Sequence, residues 1–388
     1  MKTKFIFKSI LLILISIVIL FSCTKTKKEE VKTSEELTLK KKEWKNTIFN
    51  RIGEAPVNGG FKMDGYWVWG STVIKGDDGL YHMFASRWPS YIPFHPGWMV
   101  ASEIAHATSK TAEGPYTFND VALNRRGIQF WDGKSVHNPK IVKYKDKYIL
   151  YYMGSTNPFP EITKENAKEL THESRWSVSG RWNKRIGIAV SDNLYGPWKR
   201  NDSPIFEVKP NTFYNYLTSN PSPLIREDGS VVLLFKGRGY NENGTPSPWN
   251  VGVATAPSFM GPYKAVSDEP IFSKDKIGVV EDPNLWVDED GYHMVVKDMN
   301  GTITGEYHAG VLAHSTDGIN WVVDKEPLAY SRKIKWDNGT TIEQGQLERA
   351  FVFVEDGKPS HLFFATMDGK GGFKNGTKTW NMVIPLKK

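Results

Sequence analysis

The stretch VEDPNLWVDEDGYHMVVKDM, residues 280–299, has the pattern of one β-hairpin. An apolar strand leads to a polar turn at residues 288–291, and a second strand follows the turn. Two acidic residues and a proline open the first strand, although carboxylates add little to the stability of a sheet. The position of these acids becomes informative if the chain contains other hairpins of the same kind.

Four other stretches repeat this hairpin. Each has a short apolar strand, a polar turn that usually contains Asp-Gly, and a second strand rich in aromatic or β-branched residues. The repeated spacing indicates a fold built from equivalent units rather than a single core. The four stretches are residues 70–88, 138–154, 220–239 and 348–366.

A second repeated element follows most of these hairpins. It has a third apolar strand, a turn, and a Gly-Pro-aromatic or Gly-x-Asn-Trp start to a fourth strand. Each unit therefore holds about four antiparallel strands, which is the content of a propeller blade. The sequence predicts an all-β fold, a five-bladed β-propeller with four-stranded antiparallel blades. The second element occurs at residues 105–118, 188–200, 253–265 and 311–323.

The fifth unit lacks a clear outer part. We expect the segment between Thr47 and Trp69 to supply its missing strand and so to close the ring. The only helical pattern is at residues 161–174, where we expect a short helix in an insertion. The 14 Trp, 34 Gly and 22 Pro of the 388 residues suit many short strands joined by tight turns.

The N-terminus has the pattern of an export signal. Residues 1–22 have three lysines and then an apolar run too short to span a bilayer, and Cys23 follows. The pattern resembles the bacterial lipoprotein signal, which implies lipidation (palmitate) at Cys23 and an exported protein anchored to a bacterial membrane. The alternative is an uncleaved signal anchor with an incidental cysteine.

The charged residues 23–45 are expected to form a tether, and residues 46–388 the propeller. The leader and the tether carry nearly all of the formal net charge of +7. The folded body is therefore almost neutral, and we expect no nucleic-acid partner.

The residues that open the hairpins should meet at one place. In a propeller the first strand of each blade lines the central axis, so equivalent positions at those strand starts surround a common pocket. This explains why two acids precede Pro283: they are placed to face the axis. Aligning the hairpins makes equivalent Gly70, Asn138, Asn220, Asp282 and Glu348.

Carboxylates gathered in one pocket suit the cleavage of glycosidic bonds. That reaction uses one carboxylic acid that stays protonated and a second carboxylate that activates water or attacks carbon. Crowding acids together separates their pKa values and so allows this division of roles. The candidate catalytic residues are Asp64, Asp282 and Glu348.

The sequence resembles the five-bladed glycoside hydrolases of families 43 and 117 and, more distantly, families 32 and 68. The likeness lies in the blade starts HNPKIV (137–142), EDPNLWVDEDGYHM (281–294) and YWVWGS (66–71), and in the repeated GPW and GPY turns. It implies a carbohydrate substrate, an acid from the first blade as base, and acids from later blades as proton donor and pKa modulator. It also implies inversion at the anomeric carbon.

One position departs from the family 43 pattern. Where that family has an Asp-Pro base in the first blade, this chain has Gly70-Ser71, and the nearest acid is Asp64. The third blade start, at Asn220, also offers no acid. The catalytic set is therefore not a copy of that family.

Each candidate also has a structural explanation. Asp282 could cap a turn, Asp64 could be an ordinary Asp-Gly turn residue, and Glu348 could form a salt bridge with Arg349. Glu281 competes with Asp282, because strand alternation directs only one of them inward. Glu343 is a weaker candidate acid. The predicted substrate-binding residues are His137, Asn138, Asn220, Glu281, Arg349, Arg87, Trp88 and Trp176.

Two connections rich in Trp and Arg, residues 86–98 and 174–182, are longer than tight turns require. We expect them to form pocket walls that stack on sugar rings or bind an anionic sugar, also through Trp98 and Arg175. The alternative is packing between blades. No cofactor or metal is predicted. Propellers of this kind can hold a cation in the axial channel, but nothing in the sequence specifies one.

The sequence therefore predicts an exo-acting glycoside hydrolase that trims plant or algal oligosaccharides. A glycan-binding protein without catalysis is the main alternative, because the first-blade acid is missing. A phosphorylase that transfers glycosyl groups to phosphate is a third possibility.

Overall fold

The structure, a computed structural model, describes residues 48–369 and 371–388. The predicted signal, the tether and Cys23 lie outside the described residues. Five antiparallel sheets form the blades of a β-propeller, as the sequence predicts. The first strands of neighbouring blades contact one another in order, and the first strand of blade 5 contacts that of blade 1.

The strands follow the chain from the inside of each blade outward. Blade 1 contains β1 (Tyr66–Lys75), β2 (Tyr81–Pro89), β3 (Glu103–Ser109) and β4 (Thr117–Leu123). Blade 2 contains β5 (Ser135–Tyr144), β6 (Lys147–Ser155), β7 (Arg185–Ser191) and β8 (Lys199–Arg200). Blade 3 contains β9 (Leu217–Ile225), β10 (Val231–Arg238), β11 (Asn250–Ala256) and β12 (Lys264–Ala265).

Blade 4 contains β13 (Val280–Asp288), β14 (Gly291–Asp298), β15 (Gly310–Ser315) and β16 (Val322–Tyr330). A separate hairpin of β17 (Lys333–Lys335) and β18 (Thr341–Glu343) precedes blade 5, which contains β19 (Gln346–Glu355), β20 (Lys358–Met367) and β21 (Thr379–Pro385).

The start of the described chain closes the ring, as predicted. Phe61 exchanges both backbone hydrogen bonds with Asn381 of β21, and Ile52 forms an antiparallel bridge with Leu386. Residues from before β1 thus lie along the open edge of blade 5. An edge paired in this way cannot recruit another strand.

Helices are few in the part of the chain that the structure describes. They are α1 (Phe94–Ala101), α2 (Arg175–Trp182) and 3-10 helices at Phe49–Arg51, Ala167–Glu169 and Gly372–Lys374. The helix expected at residues 161–174 is wrong: only one 3-10 turn forms there, and the α-helix is the following segment. No helix among the described residues is long and apolar enough to cross a membrane.

One backbone feature recurs at the start of every blade. The inner strand changes register with its neighbour, and one residue has a positive φ. Glycine and asparagine adopt this left-handed conformation most readily, so the feature suits three of the five positions. We call these residues the axial ring: Gly70 (49°), Asn138 (53°), Asn220 (52°), Asp282 (62°) and Arg349 (57°).

The axial ring corrects the alignment of the fifth hairpin. Arg349, not Glu348, is equivalent to Asp282, because Arg349 has the positive φ. Glu348 instead shares its position with Glu281, one residue before the ring. The two sets of positions are therefore adjacent in each strand but not equivalent.

Candidate active site

The residues that precede the axial ring face a cavity of about 750 Å³ at one end of the propeller axis. Four of the five line it, namely Trp69, His137, Glu281 and Glu348. The axial ring lies beneath them and surrounds a narrow channel. A cavity of this size lies within the usual range for small-molecule sites.

A chain of hydrogen bonds joins the ring residues below the cavity. The amides of Asn138 and Asn220 are hydrogen-bonded at 2.9 Å. Asn220 Nδ2 and Arg349 Nη1 both donate to Asp282 Oδ1, at 2.7 and 2.6 Å. Asp282 is buried and lines the axial channel rather than the cavity. Its surroundings are those of a structural ion pair beneath the cavity floor.

Glu281 and Glu348, which we call the acid pair, are both contacted by the buried ammonium of Lys297. Lys297 Nζ lies 2.7 Å from Glu281 and also donates to Glu348. Asp282 Oδ2 is farther away, at 3.7 Å. A second lysine, Lys236, lies 3.0 Å from the other oxygen of Glu281. Glu281 thus pairs with two lysines, Lys236 and Lys297, whereas Glu348 pairs with Lys297, which it shares with Glu281.

These surroundings separate the pKa values of the acid pair. Burial raises the pKa of Glu348 to about 7, against the opposing effect of Lys297. Burial also disfavours the charge of Glu281, but Lys236 and Lys297 hold the pKa of that carboxyl well below its usual range. One member can therefore carry a proton near neutral pH while the other stays ionised, which is the condition for acid catalysis by a carboxyl pair.

Two histidines flank the acid pair. Burial lowers the pKa of His137 well below its usual value, and the Ser102 hydroxyl lies 2.8 Å from its Nδ1. On the other side, His308 Nδ1 lies 3.7 Å from Glu348 Oε1 and 3.2 Å from Gln346 Oε1. Burial lowers the pKa of His308 to about 4. Burial therefore favours the neutral form of both imidazoles.

The three acids near the axis do not fit a metal. Oxygens of Glu281, Asp282 and Glu348 lie within 4.8 Å of one another, a spacing that could suit a cation. The Lys297 ammonium, however, contacts the acid pair and lies near Asp282. A fixed positive charge therefore occupies the position that a divalent ion would need.

Helices α1 and α2 supply part of the cavity wall, so the two predicted wall segments do reach the cavity. Trp98 lies on α1 and stacks on His137 with ring centres 5.0 Å apart. Trp182, on α2, packs against Tyr216 and Tyr240. All of these side chains line the cavity, together with Trp69 and Trp249. Flat aromatic faces of this kind can stack on sugar rings.

The wall residues named from the sequence mostly lie elsewhere. Trp88 is fully buried beneath Phe94, and the Trp176 indole nitrogen donates to the Pro160 carbonyl at 2.8 Å. Arg87 pairs with Glu103 at 2.8 Å and lies over the rings of Tyr66 and Phe118. Arg175 lies over the rings of Phe159 and Trp176. None of the four lines the cavity. Burying their large apolar surfaces between elements explains this placement.

Two predicted acids are also absent from the cavity. Asp64 is exposed in the turn before β1. Glu343 is exposed on β18 and pairs with Arg332 at 2.5 Å. The structure therefore does not bring Asp64 together with Glu348, and blade 1 contributes Trp69 to the cavity instead of an acid.

Sequence reasoning missed the lysines. Lys297 and Lys236 lie on the second strands of blades 4 and 3, directly opposite Glu281 and Ser219. The third, Lys184, precedes β7 and lies under Trp98, with its ammonium 4.2 Å from the ring centre. Counting from the hairpin turns does not find the first two, because the register shifts by one residue before Glu281 and Ser219. Nothing in the sequence marks Lys184.

Comparison with known proteins supports the fold. No protein-family model and no curated protein matches the chain. Among solved structures, it is similar to Zg3597, a family 117 glycoside hydrolase of the marine bacterium Zobellia galactanivorans. The TM-score is 0.61 at 17% identity, over 86% of this chain and 88% of that one. The protein has the same fold as this hydrolase.

Two other solved structures agree. One described as a glycoside hydrolase gives a TM-score of 0.62 at 13% identity, over 88% of this chain and 93% of that one. A thermostable family-43 glycoside hydrolase gives a TM-score of 0.55 at 13% identity, over 83% of this chain and 89% of that one. At identities this low, the structural similarity establishes the five-bladed fold alone. The function has to be argued from the cavity.

Proposed function

We propose that the protein is an exo-acting glycoside hydrolase in which Glu348 donates the proton to the leaving oxygen and Glu281 is the second carboxylate. The observation that carries the proposal is that both carboxyl groups face one aromatic-walled cavity and share Lys297. The likeness to family 117 and family 43 hydrolases supports it. Glu281 takes the role that the sequence suggested for Asp282.

The shape of the cavity favours terminal sugars. The hydrogen-bonded axial ring closes its floor, and the channel below has room for about one water molecule, about 20 Å³. A polysaccharide chain cannot pass through such a floor, so a chain end has to enter from the mouth. The exposed indole of Trp182 stands among the lining residues and could stack on the neighbouring sugar of a plant or algal oligosaccharide.

The spacing of the acid pair favours retention. Inverting enzymes need carboxyl groups about 6.5–9.5 Å apart to hold a water between them, and retaining enzymes about 5–5.5 Å. One oxygen of Glu281 and one of Glu348 lie within 4.8 Å of each other, and Lys297 bridges the two groups, which is closer to the retaining arrangement. We therefore propose that Glu281 attacks the anomeric carbon directly, in contrast to the inversion that the family resemblance implies. Proton NMR of the freshly released sugar distinguishes the two courses.

The deciding experiment is an oligosaccharide panel assayed with the wild type, Glu348→Gln and Glu281→Gln. Glu343→Gln is the matched control, because Glu343 is exposed and outside the cavity. Glu348→Gln should lose about 10²–10⁴-fold in kcat/KM, the usual contribution of general acid–base catalysis. Glu281→Gln removes the proposed nucleophile and should lose at least as much. A wild type with no turnover, or cavity variants as active as the control, would reject the hydrolase.

A glycan-binding protein is the second candidate, and one observation favours it: Lys297 already binds both carboxyls, and blade 1 supplies Trp69 in place of an acid. It predicts binding without turnover, unchanged in both glutamine variants. Turnover that depends on added phosphate would instead indicate a phosphorylase.

We also propose that the protein is exported and held at a bacterial membrane by a lipid on Cys23. The motif before Cys23 supports this location, since it has the pattern of a lipoprotein signal. Labelling of cells with a palmitate analogue tests it. Wild type should incorporate the label and Cys23→Ser should not; equal labelling of both would reject the anchor.

A further inference from the structure

The cavity contains more positive charge than its acids can balance. Five cationic side chains line it, and two of them have carboxylate partners: Lys236 pairs with Glu281 and Arg349 with Asp282. Within residues 48–369 and 371–388, the other three have no carboxylate within 4.0 Å. These three are Arg181, Lys184 and Arg238.

Lys184 is a buried lysine in the cavity wall, and its charge is not balanced by a nearby carboxylate of the described residues. The residue is only 5% exposed, and its ammonium has no hydrogen-bond or ion-pair partner in the described part of the chain. Its ammonium lies over the face of Trp98. Burial, followed by the charges of Lys236 and Arg349, lowers its pKa well below the usual value for lysine. A buried cation without a partner is costly, and a bound anion would remove that cost.

Lys236 and Arg238 extend this charge along one wall. Both lie over the ring of Trp249, at 4.4 and 4.2 Å from its centre. Arg238 Nε donates to the Ser247 carbonyl, which leaves its terminal guanidinium nitrogens available to a ligand. Lys236 links this wall to Glu281 of the acid pair. We call Lys184, Lys236 and Arg238 the cation corner.

We propose that the cation corner binds an anionic substituent, a carboxylate or a sulfate, on the sugar that occupies the cavity. The inference rests on the proposed function, because it assigns the substrate class of the same cavity. Arginine and lysine side chains bind such oxyanions by charge-assisted hydrogen bonds. Free phosphate has the same chemistry and would bind to the same corner if the protein were a phosphorylase.

The test is calorimetric titration of the purified protein carrying Glu348→Gln, so that turnover does not consume the ligand. The probes are galactose, galacturonate and galactose 6-sulfate, with glucose and glucuronate as a second pair, and inorganic phosphate alone. At least one anionic sugar should bind about tenfold more tightly than its neutral parent, as expected for one charge-assisted hydrogen bond. Added salt should weaken that preference.

Lys184→Met and Arg238→Met, each added to this protein, should abolish the preference, so that the anionic sugar binds no more tightly than its neutral parent measured in the same variant. Lys209→Met is the control, because Lys209 is an exposed lysine that pairs with Asp268 at 2.7 Å. Lys184→Met should also leave the denaturation midpoint unchanged or raise it, since it removes an unpaired buried charge. That midpoint separates loss of the site from loss of the fold.

Equal affinity for acidic and neutral sugars would overturn the proposal, and so would a preference that survives both substitutions. Binding of phosphate alone, sensitive to Lys184→Met, with no sugar preference would overturn it in favour of a phosphate site. Failure of the hydrolase itself gives a different result: anionic sugars bind preferentially, but the wild type cleaves none of them.

Discussion

Glu281 and Lys297 are directly opposite each other on the first two strands of blade 4, and their side chains form an ion pair of 2.7 Å. The same ammonium donates to Glu348, which reaches the cavity from blade 5. One lysine therefore joins two blades at the acid pair. Lys297 is 2% exposed, so this charge is compensated almost entirely by protein groups.

Replacing Lys297 by Met should destabilise the protein by about 3–5 kcal/mol, the usual cost of removing one partner of a buried ion pair. Burial opposes the charge of Lys297, but Glu281 and Glu348 together raise its pKa above the usual value, so loss of the lysine leaves a buried negative charge. Urea unfolding at pH 7 measures the change. Lys209→Met, on the exposed surface, should change the unfolding free energy by less than about 0.5 kcal/mol. Equal stability of the two variants would contradict the structural role of Lys297.

The pH dependence of kcat/KM should have an alkaline limit near pH 7. Glu348 must hold a proton to donate it, and its pKa is raised to about 7. Above that pH the rate should therefore fall about tenfold per unit. On the acid side the rate should persist below pH 4.5, because the pKa of Glu281 is held well below its usual range.

Initial rates between pH 3 and 9 on one cleaved substrate give this profile. The alkaline limit should disappear in Glu348→Gln and persist in the Glu343→Gln control. A limit that remains near pH 7 without Glu348 would assign the proton donor to another group.

The fold was largely predictable because its signals are local. Alternating apolar residues around Asp-Gly turns identify a hairpin without knowledge of the rest of the chain. Ring closure was predictable for a related reason, since the incomplete fifth unit required a strand from elsewhere and only the segment before β1 was unassigned.

The site was less predictable, because it depends on register. In blades 2, 3 and 4 a proline follows the ring residue and marks its position, but blade 5 has the sequence Glu348-Arg349-Ala350 without one. The alignment was therefore one residue out, which exchanged Arg349 for Glu348. Lys297 was missed because a change of register separates the strand start from the turn, so counting from the turn does not identify cross-strand partners.

Asp282→Asn distinguishes the structural role of this residue from the catalytic role that the sequence suggested. The structure places Asp282 beneath the cavity floor, where it accepts hydrogen bonds from Asn220 and Arg349. The variant should unfold about 1–3 kcal/mol more easily, because the Arg349 guanidinium loses its charge partner. Its kcat/KM, measured while folded, should stay within about tenfold of the wild type, since general acid–base catalysis contributes more, about 10²–10⁴-fold. A loss as large as that of Glu348→Gln would return Asp282 to the catalytic set.

Two buried histidine pairs should make the fold sensitive to acid. In blade 1, His82 Nδ1 lies 2.9 Å from His106 Nε2. In blade 4, His293 Nδ1 lies 2.9 Å from His314 Nδ1. Burial lowers the pKa of His106 and of His314 to about 4, although Asp120 and Asp324 respectively favour their protonation.

The direction in which stability changes with pH depends on how many protons the folded and unfolded states bind. Unfolded histidine has a pKa of about 6.5, so between pH 6.5 and 4 the unfolded chain binds more protons than the folded one. Each pair should therefore destabilise the fold as the pH falls through this window, by on the order of 1–3 kcal/mol. Urea unfolding at pH 7, 6, 5 and 4.5 measures the slope. The variant His106→Gln/His314→Gln should show a smaller loss of stability on acidification than the wild type. Parallel curves for the wild type and the double variant would show that other groups cause the acid sensitivity.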